Sequence, residues 1–164
     1  MSTSARQTHN IPPLFDDSSR ILILGSFPSV KSREGQFFYD HPQNRFWRVL
    51  SHILGVPTPA THEEKRDMLL TNHIALWDVI ESCDIEGSSD TSIKNVVPND
   101  LSVILDHAPI RHIYTNGGTS DKYFKKYNKD VSVPVTKMPS TSPANAAASL
   151  EKLIAAWSII KDEL

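Results

Sequence analysis

Ile21-Leu22-Ile23-Leu24-Gly25-Ser26-Phe27-Pro28-Ser29 decides the fold. Four consecutive apolar residues are too few for a helix. They do not alternate with polar residues, as a strand with one wet face would. They read as a strand buried on both faces, the pattern of a parallel sheet. Gly25 permits close backbone approach and Pro28 stops the strand. The tight loop Gly25–Ser29 thus falls at a strand C-terminus, where open α/β sheets bind ligands. It matches neither G-x-G-x-x-G nor G-x-x-x-x-G-K, which argues against a dinucleotide or P-loop site.

Outward from this strand, Ile74–Ile80, Ile110–Thr115 and Val131–Thr136 read as further strands. Helices alternate with them. One runs from Pro42 or Asn44 to Leu54, with Phe46, Val49, Leu50 and Ile53 on its apolar face and Gly55 closing it. Thr61 and Glu64 form a capping box for a helix to Asn72. Asp100 caps a helix near Leu101 to Asp106. Asn116-Gly117-Gly118-Thr119 leads into a helix towards Tyr127. The last helix spans Pro143 to Lys161, with Ser142 as cap and Pro143 at its first position. Glu81 to Asn95 is polar and reads as a long loop over the strand ends. The alternation predicts an α/β fold, a parallel sheet with helices on both faces and right-handed crossovers. Residues 1–19 are expected to form a partly disordered arm, frayed from Met1 to His9. Residues 20–164 are expected to form a single domain.

Composition bounds the function. The chain has 164 residues and a net charge of −2, so no global basic field draws it to nucleic acid. Any such binding needs a local patch. The single Cys83 excludes an internal disulfide framework and a cysteine-rich metal site, and reads as an idle or buried thiol. No apolar run approaches about 18 residues, so no membrane span is expected. The polar N-terminus lacks a signal-like region, which makes a soluble cytoplasmic or nuclear protein the default expectation. No H-x-x-x-H, H-E-x-x-H or G-x-S-x-G pattern occurs.

The densest chemistry lies in Phe37-Phe38-Tyr39-Asp40-His41-Pro42-Gln43-Asn44-Arg45-Phe46-Trp47. Five aromatics fall within these residues, in a chain only 8% aromatic. Phe46 and Trp47 read as core of the following helix. Tyr39 and Asn44 read differently: a ring to stack on and an amide to hydrogen-bond are what a nucleobase asks for. A third loop, Lys137-Met138-Pro139-Ser140-Thr141-Ser142-Pro143-Ala144-Asn145, ends on the same sheet edge. Its hydroxyls and the helix start suit a phosphate; equally, they compete to cap that helix. Asp78 and Asp90 are the nearest carboxylates and read first as caps or solvated groups.

Three of these segments resemble the uracil-DNA glycosylase superfamily, and within it the hypoxanthine (deoxyinosine) DNA glycosylase branch. They are Gly25–Ser29, Tyr39–Trp47 and Met138–Asn145, with weaker likeness at Ala75–Val79 and from Gly87 to Asn95. The resemblance implies a three-layer α/β/α sandwich around a four-stranded parallel sheet. It implies monofunctional cleavage of the N-glycosidic bond of a deaminated base in DNA, hypoxanthine and also uracil, by a monomer with no metal and no cofactor. It places the catalytic amide at Asn44 and the stacking ring at Tyr39, and a phosphate grip at Lys137 and Pro139 to Pro143. Mismatch-specific relatives carry an Asn at the position of Phe27, where a phenyl ring cannot hold the attacking water. The residues themselves fit such chemistry: an amide orients a water, and main-chain groups from Ser26 to Ser29, or Ser92 or Asn95, bond the leaving base. A non-catalytic module that binds damaged bases, and a small-molecule nucleoside hydrolase, are the competing readings. For an enzyme on DNA, the location expected is the cytoplasm, at the nucleoid if bacterial.

Overall fold

A computed structural model describes residues 4–164. Its centre is a four-stranded sheet of β2 (Ile21–Gly25), β3 (Ile74–Asp78), β6 (His112–Asn116) and β7 (Val135–Met138), ordered β3-β2-β6-β7. Every pairing in it is parallel. All five residues of β2 and of β3 are buried, the reason an unbroken apolar run was needed. The helices α1 (Val30–Gly35), α2 (Phe46–Leu54), α3 (His62–Thr71), α4 (Ser102–Leu105), α5 (Gly118–Tyr127) and α6 (Leu150–Trp157) flank it. The α/β architecture expected from the sequence is therefore the one observed. The chain leaves β2 towards β3 on one side and returns to β6 on the other. The topological switch point lies between β2 and β6, and a crevice is expected beyond their C-terminal ends.

Several boundaries differ from the sequence reading. Ile74–Ile80 is not one strand: it breaks after Asp78, and Ile80 begins β4 (Ile80–Ile85). The expected long loop Glu81–Asn95 is mostly ordered, because β4 pairs antiparallel with β1 (Ala5–Thr8) and β5 (Lys94–Pro98) in a second sheet, β1-β4-β5. The segment Met1–His9, expected to be frayed, thus contributes a strand; residues 1–3 of it, and of the arm 1–19, lie outside the described residues. The rest of that arm is fastened too. His9, Ile11 and Leu14 are buried, and Leu14 bridges the outer edge of β3 at Leu76. That contact covers an edge which would otherwise present unpaired amides.

β7 starts at Val135 rather than Val131. The last helix starts at Leu150, capped by Ser149, rather than at Pro143 capped by Ser142. The cause is Arg45. Its guanidinium donates to the carbonyls of Ser142 (2.9 Å), Asn145 (3.0 Å) and Ala148, which are then oriented to a side chain instead of a helix ladder. The helix after Asn44 begins at Phe46, and Thr61 caps α3 as expected, accepting from Glu64 N at 3.1 Å. Val30–Gly35 is a short helix that the sequence reading left within a loop.

Candidate active site

The C-terminal ends of β2, β3 and β6 put Gly25, Asp78 and Asn116 side by side. Above them opens a cleft of about 450 Å³. Its walls are the loop Gly25–Ser29, the segment with Tyr39, His41 and Asn44, the turn Ser88–Thr91, and Ser140–Ala144. The first of these is braced from behind. Phe27 is buried edge-to-face with His9, ring centroids 5.3 Å apart, and the Arg33 guanidinium lies over the Phe27 ring. Arg33 also donates to the carbonyls of Pro28 (2.8 Å) and Gly87 (3.1 Å), tying two rim loops together.

Tyr39 sits at φ 50°, a left-handed conformation unusual for an aromatic residue. Trp47 Nε1 holds it there by donating to its carbonyl at 3.0 Å. Its ring stacks on Phe46 with centroids 4.1 Å apart, so one face is used by the core. Its hydroxyl is buried with no hydrogen-bond partner. Burial first and the Asp78 charge second push the phenol well above its ordinary value. The Asn116 amide offsets part of that rise, without reaching hydrogen-bond geometry.

Asp78 is the second polar group at the cleft floor. It is 4% exposed and its Oδ2 has no hydrogen-bond partner. Burial, and then the charge of Asp90, push its carboxyl up to about 7. His9 Nε2 lies 3.9 Å away but gives no ion pair. That imidazole donates to the Ile80 carbonyl at 2.8 Å and accepts from Ile11 N at 3.3 Å, and burial lowers its affinity for a proton. Asp90 stands at the rim, accepting from Ser26 Oγ at 3.2 Å. Burial raises its carboxyl as well, but water reaches this residue, so the effect is weaker there than at Asp78.

Asn44 joins α2 to the opposite loop. Its Oδ1 accepts from Phe46 N at 2.9 Å and from Thr141 Oγ1 at 2.9 Å. The Phe46 N–H can only donate, which fixes Oδ1 on the inward side and leaves Nδ2 as the amide atom this cleft-lining residue offers the cleft. Helix capping and a place in the cleft therefore coexist in one residue.

The sequence-derived site residues divide as follows. Gly25, Ser26, Phe27, Pro28, Ser29, Tyr39 and Asn44 converge on the cleft, with Ser140, Thr141, Ser142 and Pro143. Ser92 and Asn95 do not line it. Ser92 Oγ is occupied within its own turn by Glu86 N and Ser89 O, and Asn95 Nδ2 donates to Asp84 Oδ2 at 2.6 Å in the second sheet. Ser92 ends a short 3-10 turn, Asp90–Ser92, and Asn95 lies on β5, so neither belongs to an open loop over the strand ends. Thr141 is 0% exposed, with its hydroxyl turned to Asn44, so it cannot reach a phosphate from here. Lys137 is exposed on β7, while the Pro139 carbonyl accepts from Trp157 Nε1 at 3.0 Å; neither lines the cleft. With the helix start moved to Leu150, the loop's hydroxyls no longer sit at a helix N-terminus. His41, Asp78, Asp90 and Asn116 are cleft residues that the site assignment lacked. For Asp78 and Asn116 the available signal was a polar residue ending a buried strand.

The chain is similar to known proteins over most of its length. Residues 12–161 match the family model of the uracil DNA glycosylase superfamily. A protein of Methanosarcina barkeri (strain Fusaro / DSM 804) named hypoxanthine DNA glycosylase is 39% identical over 114 residues, 68% of this chain and 72% of that protein. A protein of the same name from Methanosarcina acetivorans is 35% identical over 136 residues, 82% of this chain and 85% of that one. A solution NMR structure from Methanosarcina acetivorans, described as a candidate uracil DNA glycosylase, superposes with a TM-score of 0.80 at 30% identity. It covers 96% of this chain and 99% of its own.

Proposed function

The chain belongs to the uracil DNA glycosylase superfamily, and from that premise we propose that it excises deaminated bases, hypoxanthine first and uracil second, from DNA. The observation that carries this reading is the convergence at the sheet's switch point of a ring, an amide and an unpartnered carboxyl: Tyr39, Asn44 and Asp78. A flipped base stacks on the Tyr39 face not used by Phe46. Deamination converts adenine's accepting ring nitrogen into an N–H beside a carbonyl. Asp78 keeps an accepting oxygen in either protonation state, so it can take that N–H, and when ionised it has no proton to give adenine's ring nitrogen. Asn44 is the catalytic amide. Ser140 and Ser142 already accept backbone N–H groups at 3.1 Å, leaving their hydroxyl protons for phosphate oxygens.

Cleavage breaks the bond between C1′ and the base nitrogen, and the electron pair leaves with the base. Water adds its oxygen to C1′, and one of its protons ends on the base. The barrier falls when the cationic sugar and the departing anion are both stabilised. The fastened arm and residues 20–164 serve together as one catalytic domain acting as a monomer on DNA, in the cytoplasm or at the nucleoid.

The test is excision from duplexes holding hypoxanthine, uracil, xanthine or mismatched thymine, read by alkaline cleavage at abasic sites. Abasic sites are expected from hypoxanthine; none from any of the four overturns the reading. Binding without cleavage would instead establish a lesion-binding module. Affinity should fall with salt at a slope of a handful of phosphates, since the net charge is −2. Lys137→Ala should reduce that slope by about 1.

A further inference from the structure

Thr141 stands at the junction of the two cleft amides. Its backbone N–H donates to Asn116 Oδ1 at 3.1 Å, and Asn116 Nδ2 donates back to its Oγ1 at 3.0 Å. Since Oγ1 accepts there, its own proton goes to Asn44 Oδ1 at 2.9 Å. The Thr141 carbonyl accepts from Arg45 N at 3.1 Å, so the residue is also fastened beside Asn44 through the main chain. A single direction of donation runs from Asn116 through Thr141 into Asn44, and Phe46 N adds a second donor to the same oxygen. Both accepting positions of Asn44 Oδ1 are taken. Water in the cleft cannot donate a proton to that oxygen, which is how an amide would make water more nucleophilic. What the cleft receives is the Asn44 NH2, and two donors into an amide oxygen strengthen donation from its nitrogen.

We propose that Thr141 is the positioning residue that presents the Asn44 amide as a hydrogen-bond donor to the departing base, not as a holder of the attacking water. The proposal rests on the glycosylase reading and assigns the work of its catalytic amide. Negative charge grows on the base as the bond to C1′ breaks. A fixed N–H aimed there binds the transition state more tightly than the ground state. Thr141 supplies the fixing from inside the protein, with no exposed surface of its own.

The experiment measures single-turnover excision and, separately, equilibrium binding of a hypoxanthine duplex. Wild-type protein comes first: if it excises no base, the glycosylase reading fails before this proposal is reached. Given wild-type activity, Thr141→Val is expected to lower the single-turnover rate by about 10²-fold while changing binding less than about 3-fold. Thr141→Ser, which keeps the hydroxyl, should recover to within about 5-fold of wild type. The Val loss should shrink on a hypoxanthine analogue whose departing base is more acidic, because a better leaving group needs less donation. A purely structural role would cost both substrates equally. Asn44→Asp offers the cleft an oxygen in place of an N–H and should be as slow as Asn44→Ala. An equal Val loss on both substrates overturns the proposal. So does an Asn44→Asp variant that keeps more than about a tenth of the wild-type rate, a result that stands even if the Val variant fails to fold.

Discussion

A β-carbon placed on Gly25 would lie 2.6 Å from Oδ1 of Asp78, its register partner on the neighbouring strand. The carboxyl is folded over bare backbone. Any side chain at position 25 would drive it off the cleft floor, and the Tyr39 hydroxyl, 3.2 Å from the same point, with it. The glycine that ends the buried strand is thus what lets a carboxyl and a phenol meet beneath the cleft.

Asp78→Asn should change how stability depends on pH. The carboxyl lies at about 7 when folded, against an ordinary 3.8. Between those values the native state binds more protons than the unfolded chain. Stability from this group is therefore fully present below about pH 4 and lost as pH rises through 7. The Asn variant lacks this loss. Its stability relative to wild type, read from denaturant melts, should rise from pH 4 to pH 8 by at most on the order of 4 kcal/mol. A constant difference across that range would refute the assignment.

Asn44→Ala should show two separable effects. Losing the acceptor for Phe46 N costs about 1 kcal/mol, and stranding the buried Thr141 hydroxyl costs about 1–3 kcal/mol more. Single-turnover excision, measured well below the melting temperature, should fall by about 10²–10³-fold. Reduced stability with an unchanged rate would leave Asn44 as a helix cap alone.

Tyr39→Phe removes a buried hydroxyl that has no partner, so stability should hold or rise and excision should change little. Tyr39→Ala removes the ring and should weaken binding of the flipped base by about 1–3 kcal/mol. The two variants compared by hypoxanthine-duplex titration isolate the ring from its hydroxyl. Full affinity in the Ala variant would make Tyr39 a core residue only.

Arg45→Lys should loosen the loop that closes the cleft. A lysine keeps the charge but cannot fork to three carbonyls at once. Hydrogen exchange should quicken across residues 140–148, and excision should slow, while exchange in β2 and β3 stays as it was. Unchanged exchange in the loop would show that other bonds hold it.

How much was legible follows from the range of the forces involved. The apolar run Ile21–Leu24, the Thr61–Glu64 cap and the closing Gly55 are local signals, because burial on both faces, a capping bond and a left-handed turn are each set within a few residues. They gave the sheet, most helices and the sheet edge that holds the cleft. The crowding of rings and amides from Phe37 to Trp47 marked Tyr39 and Asn44 for the same reason. Tertiary structure decided the rest. Glu81–Asn95 reads as a loop because its buried residues do not alternate cleanly with its polar ones, and its pairing with Ala5–Thr8 joins segments about half the chain apart. The start of the last helix was moved by an arginine about a hundred residues away. From the sequence Thr141 is a hydroxyl for a phosphate or a helix cap, and its burial depends on Asn44 and Asn116 arriving from two other segments. A hydrogen bond has no sequence pattern when its partners are brought together only by the fold.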